Sequence, residues 1–171
     1  VDANATITVE TFTSSELKLQ VQVTNDSNFT GARLTAIGFD VNPNVTGIAI
    51  SGGTVFTSAD SANFPAFQEV DVCAFSGNNC AGGGNTGLIN GNSDTFTLDL
   101  TAPAGTFGTA NNLTAALDQQ ATKWQGPAPL SYELPGTPLP PGPPLVPEPG
   151  SLALLGTALA AMGFIRRQPR G

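Results

Sequence analysis

The sequence has 171 residues, 40% of them hydrophobic, only 11% charged and none of them histidine. That apolar content excludes a disordered chain of low hydrophobicity, and the missing histidine excludes His-dependent triads and His general-base chemistry. The net charge is −7, and residues 1–145 hold twelve acids against Lys18, Arg33 and Lys123, which leaves no basic cluster for a nucleic-acid backbone. With the tail from about Pro135 set aside, roughly 134 residues remain, enough for one core burying about 65–70% of the unfolded surface.

The first elements read as β-structure. Thr6–Phe12 predicts a strand. Glu16–Val23 alternates with period two and puts Leu17, Leu19, Val21 and Val23 on one face, the pattern of a strand buried on one side. Asn25-Asp26-Ser27-Asn28 predicts a turn. Leu34–Val41 is the next expected strand, followed by a turn at Asn42-Pro43-Asn44 and a strand over Val45–Ile50 that ends at Ser51-Gly52-Gly53.

Phe67–Phe75 is an apolar run carrying Cys73, and Gly77–Gly84 is a glycine- and asparagine-rich loop carrying Cys80. Gly82-Gly83-Gly84 lacks the Lys-Ser/Thr that completes a phosphate loop, and is better read as a loop requiring positive φ. Thr95–Leu100 alternates cleanly. Leu113–Leu117 predicts a helical turn and Thr122–Gln125 a last short strand. Short strands separated by turn signals predict an all-β, antiparallel β-sandwich over residues 1–126.

From Pro127 the composition changes. Residues 127–145 read as a Pro/Gly-rich spacer, semi-rigid at about 3.1 Å per residue where it is extended. Val146-Pro147-Glu148-Pro149 follows, then an uncharged stretch from Ser151 to Ile165, then Arg166-Arg167. As a helix, the uncharged stretch would be about 22 Å long, short of the roughly 30 Å hydrocarbon core. It suits temporary membrane residence better than permanent anchoring. The arginines mark a cytoplasmic end and place the body outside. A plain anchor and a buried core helix are the alternatives, although a core helix is rarely charge-free on every face in so small a domain.

The order of motif, short apolar helix and basic end resembles the PEP-CTERM sorting signal of bacterial surface proteins. Pro147, Glu148 and Pro149 match its motif. Leu152, Leu154, Leu155, Gly156, Gly163 and Phe164 match its helix, and Arg166 and Arg167 its basic stop. The basic end departs from the pattern by running on into Gln168-Pro169-Arg170-Gly171. The resemblance implies a removed N-terminal leader, which Val1-Asp2-Ala3 does not itself show. It also implies transient residence in the inner membrane, recognition by exosortase, removal of the helix near the motif, and final placement at the cell surface or outside the cell.

The body has a resemblance of its own. Thr35–Asp40, Asn63-Phe64-Pro65, Val70–Phe75, Asn79–Gly84 and Ser93–Leu98 are similar to the cistern family of PEP-CTERM proteins, over roughly residues 17–125. That family has a cysteine pair around a glycine-rich loop and implies export without a defined activity. An exported protein sits in an oxidising compartment, so Cys73 and Cys80 are expected to form a disulfide. It closes a loop of eight residues, worth about 2.5 kcal/mol at most in the chain-entropy account.

No catalytic, metal or cofactor site is expected. Two thiols without histidine do not make a zinc site, and the cysteine spacing is not that of a redox CxxC. Glu69 and Asp71 imitate paired carboxylates, but a solvated strand face is the commoner reading. Asn25–Asn28 and Asn90–Asp94 are oxygen-rich turns that calcium could use, and turn chemistry alone explains them. Trp124 and Tyr132 could stack on sugar or pack in core and linker. The expected function is a non-enzymatic, surface or extracellular-matrix-associated protein with a structural or interaction role. Exosortase is its expected processing partner, and exopolysaccharide binding is the alternative.

Overall fold

The computed structural model describes residues 1–42, 44–63, 69–82, 85–107, 117–127 and 131–136. These form ten strands: β1 (Ala3–Phe12), β2 (Glu16–Asn25), β3 (Arg33–Val41), β4 (Gly47–Ser51), β5 (Ser58–Asn63), β6 (Glu69–Phe75), β7 (Leu88–Ile89), β8 (Ser93–Thr101), β9 (Leu117–Gln125) and β10 (Ser131–Gly136). The first sheet runs β1-β2-β8-β4 and the second β10-β9-β3-β6-β5, with β7 added to β3. Every pairing is antiparallel.

The period-two pattern of β2 accounts for the first sheet. Leu17, Leu19, Val21 and Val23 are fully buried, and Leu17, Leu19 and Val21 stand opposite Leu100, Leu98 and Phe96 of β8. The same pairing lines up the outward residues. Lys18 lies opposite Asp99, with Nζ 3.4 Å from its carboxylate, and the Thr24 and Ser93 hydroxyls are 2.7 Å apart. Burying each Leu or Phe is worth about 1.5–3 kcal/mol. One-face burial therefore pins the register, because a slip of one residue would send the whole apolar row into water.

β3 is the centre of the second sheet and is buried almost throughout. Leu34, Ile37, Phe39 and Val41 join Trp124, Val72 and the first sheet's row in the main core. Ala36 instead belongs to a separate cluster with Cys73, Phe75, Cys80 and Ala121. By register, that cluster lies on the outer face of the second sheet, where Ala36 sits opposite Phe75 and Gly38 sits between Cys73 and Ala121. A strand covered on both faces reads as a continuous apolar run, and Leu34–Val41 reads that way.

The expected all-β antiparallel sandwich is therefore present, with two strands, β5 and β7, that the sequence reading did not include and two expectations that change. β5, with sequence Ser-Ala-Asp-Ser-Ala-Asn, has no apolar alternation and forms through backbone pairing to β6. β7 is two residues long, too short to show a period. Leu117 opens β9 instead of ending a helical turn, and the rest of that expected turn, 113–116, lies outside the described residues. Within the stretch read as spacer, Ser131–Gly136 forms β10 and pairs with β9 from Gln125 back to Gln120. The proline signal hid this strand, because Pro135 lacks an N–H and is tolerated there only at a sheet edge.

Candidate functional site

The strand register gives the sandwich two ends. β2 finishes at one end, where β3, β8 and β10 begin and β9 ends. Five connections collect there: β2–β3, β4–β5, β6–β7, β7–β8 and β9–β10. At the opposite end, the β1–β2 turn holds the segment after β8, with Ala102 N–H donating to Ser15 O and Gly105 N–H to Ser14 O, both at 3.0 Å. β10 runs toward that second end, and Gly136 pairs with Gln120, itself opposite Phe39. β10 thus ends away from the five-connection end.

Asn25 organises the five-connection end. Its Nδ2 donates to Leu88 O at 2.7 Å and Ala32 O at 3.2 Å, and its Oδ1 accepts from Ser27 N–H at 3.0 Å. Its backbone N–H donates to Asn92 O, and its carbonyl accepts from Gly91 N–H at 2.8 Å. Sequence reasoning places Asn25 in a turn. It is fully buried and ties the β2–β3 loop to the β7–β8 turn. Pro127 closes against the same loop, since a Cβ added at Gly31 would lie 3.0 Å from its Cγ. Phe29, Ile89 and Tyr132 are each 40–45% exposed at or near this end. Sequence reading missed Phe29 and Ile89, and single apolar residues beside turns give no signal of their exposure.

The cysteine loop is held by a closed neck and a disulfide. It leaves β6 at Phe75, opposite Ala36, and returns in β7 at Leu88, opposite Leu34. Thr35 lies between these two points. Its carbonyl accepts from Ser76 N–H at 2.9 Å and from Ser76 Oγ at 3.2 Å. Thr86 Oγ1 donates to Ser76 O at 3.1 Å and closes the neck. Such a closed-neck excursion is an Ω-loop, a compact surface loop packed by its own side chains. The expected Cys73–Cys80 disulfide is formed and pins the loop to the outer face of the second sheet. Gly82 has φ +79°, and a Cβ there would come within 3.2–3.3 Å of Lys123 Cγ, Thr35 Oγ1 and Gln125 Nε2. Only glycine combines that backbone with that approach.

Lys123 and Glu133 form an ion pair beside this loop, with side chains 9% and 5% exposed. The pair joins β9 to β10 on the same outer face as Cys73 and Ala121. The sequence held one clue, since Lys123 is the only base between Arg33 and Arg166.

The remaining candidates resolve as structural groups. Asp94 is 4% exposed and accepts from the N–H groups of Thr54, Val55 and Phe56 and from the Thr54 hydroxyl, at 2.8–3.0 Å. Burial alone would raise its pKa. The three backbone donors and the hydroxyl outweigh burial and hold the carboxyl below its ordinary 3.8. Asp71 Oδ2 accepts from Val41 N–H at 3.1 Å, and the side chain of Glu69 lies outside the described residues. Trp124 is 1% exposed and its Nε1–H donates to Thr122 Oγ1 at 2.9 Å, which removes it as a sugar platform. Among the described residues, no group of three or more His, Cys, Asp or Glu side chains could hold a metal ion.

Pro147, Glu148, Pro149, the apolar stretch and Arg166-Arg167 all lie outside the described residues, so sequence similarity decides their nature. Residues 145–168 match the PEP-CTERM protein-sorting motif. The tail is a PEP-CTERM sorting signal. A PEP-CTERM signal marks a chain for export and for membrane-transient sorting by exosortase to the cell surface, and this chain carries one. No curated protein matches the chain. Among solved structures it is similar to an uncharacterized protein from Nocardia farcinica described as having an immunoglobulin-like fold. That similarity has 14% identity and a TM-score of 0.45, and covers 81% of this chain and 88% of the other.

Proposed function

We propose that this PEP-CTERM protein is a surface or extracellular-matrix-associated component of the bacterial envelope with a structural and interaction role. The observation that carries the proposal is the sorting motif over residues 145–168, which follows a β-sandwich whose last described strand ends at Gly136. The resemblance of the body to cistern proteins supports the same reading. So does the make-up of the described polar groups. Asp94 is consumed by a turn, Asn25 by two loops and Lys123 by Glu133, all of which build a durable scaffold. The Pro-rich residues 137–146 are suited to act as the spacer between body and motif.

Fractionation of the native host tests this. The protein is expected in the surface or extracellular fraction, and deletion of exosortase should leave it in the inner membrane. Deleting its own gene should weaken matrix cohesion with polysaccharide output unchanged. Unaltered cohesion would remove the structural role and leave the address standing.

A second reading, exopolysaccharide binding, is favoured by exposed Phe29 and Tyr132, since aromatic faces stack on sugar rings. Binding of the host's polysaccharide that is lost on Phe29→Ala or Tyr132→Ala supports it. Equal binding by the variants and the wild-type chain removes it.

A further inference from the structure

Among the described residues, the two sheets have four terminal strands: β1, β4, β5 and β10. A terminal strand offers a row of unpaired N–H and C=O groups, and proteins blunt such rows with short strands, bulges, charge or proline. β4 is only five residues long. β5 breaks register between Asp60 and Ala62. β10 is six residues long and contains Glu133 and Pro135. β1 is ten residues long and pairs with β2 without interruption from Ala3 to Val9, slipping register only after Val9. Over those seven residues, Ala-Asn-Ala-Thr-Ile-Thr-Val, it carries no charge and no proline.

We propose that a second copy of this chain adds to the edge of β1 that is unpaired among the described residues, in an antiparallel two-fold pairing centred on Ala5. Two observations select this occupant and this register. Val1 and Val9 are 38% and 40% exposed. Val9 lies on the side of β1 that Ile7 shares, where the two stand opposite Leu19 and Val21, and Val1 precedes the strand by two residues. Pairing about Ala5 sets Val1 against Val9 of the partner subunit and Ala3 against the partner's Ile7, and covers both exposed valines with apolar neighbours.

The second observation is charge. With −9 on residues 1–145, two copies repel over most approaches, and an uncharged edge is where they can meet. Centring one residue later, on Thr6, would set Asp2 against the partner's Glu10, and like charges directly opposite are unfavourable. Centring on Ala5 sets Asp2 against the partner's Thr8 and avoids the clash. Antiparallel pairing inverts the second sandwich, so the two Gly136 exits lie at opposite ends of the dimer. Resting on the surface display proposed above, such a dimer would join two opposing surfaces or matrix layers. The pairing itself does not depend on that display.

The test uses the full chain in a mild non-ionic detergent. Sedimentation should show a monomer–dimer equilibrium. Ala5→Asp places two like charges at the two-fold axis and should weaken the dimer roughly fivefold or more, with an unchanged far-ultraviolet spectrum. Ala5→Cys should give a covalent dimer on mild oxidation, because cross-strand Cα spacing falls within disulfide range. Val9→Cys alone should not, whereas a mixture of Val1→Cys and Val9→Cys chains should. A monomer at every concentration, a dimer insensitive to Ala5→Asp, or Ala5→Cys that stays uncrosslinked would each overturn the proposal.

Discussion

Phe56 N–H donates to Asp94 Oδ2 at 2.8 Å, and this bond fastens the turn after β4 to the start of β8. Three further donors from Thr54 and Val55 converge on the same carboxylate, and Phe56 itself is fully buried against Phe96. Asp94→Ala strands these donors and should cost roughly 2–4 kcal/mol, read as a lower urea midpoint at an unchanged m-value.

The same carboxylate gives a pH dependence of known sign. Its folded pKa lies below its ordinary 3.8, so its stabilisation is fully present above that pH. That stabilisation is lost as the pH falls through 3.8 and on through the lower folded value. Asp94→Asn should flatten this part of the acid-unfolding curve. An unchanged acid limb in the variant would show that other carboxylates govern it.

Gly53 sits under this turn, and a Cβ added there would lie 2.1 Å from the Phe56 carbonyl oxygen. That contact is with backbone, which cannot swing aside. Gly53→Ala should therefore destabilise by more than the roughly 0.5 kcal/mol within which surface changes usually fall, and thermal unfolding measures the difference.

The Lys123–Glu133 pair lies between the exposed and fully buried cases. Glu133→Ala should cost roughly 1–3 kcal/mol, and the loss should appear first as faster amide exchange in β10. Reducing the Cys73–Cys80 disulfide should cost about 2.5 kcal/mol at most and speed exchange within residues 76–87, leaving β2 and β8 protected.

These groups differ in how far the sequence foretold them. β2 and β8 were legible because one face is buried and the other wet, so the period appears in the residues themselves. β5 and β10 were not, because edge strands draw on backbone pairing and need little apolar surface. The disulfide was expected from the compartment, which the tail implied. Asn25 and Asp94 read as turn residues, and they stand instead at the last position of β2 and the second of β8, beside turns. Their buried amide and carboxylate join loops distant in sequence, which no local pattern records. Trp124 and Tyr132 gave the same sequence signal, and position settles them differently, at the core and at an exposed edge. The sorting tail was legible for another reason, since its meaning lies in the order of Pro-Glu-Pro, apolar stretch and arginines.

The central claim is that this tail is used. Intact-mass measurement of the protein isolated from its native host tests it most directly. Cleavage near Pro147–Pro149 should leave a chain lacking the apolar stretch and two hydrogens lighter than its reduced form. A chain that keeps Ser151–Gly171 and stays in the membrane fraction would contradict the claim.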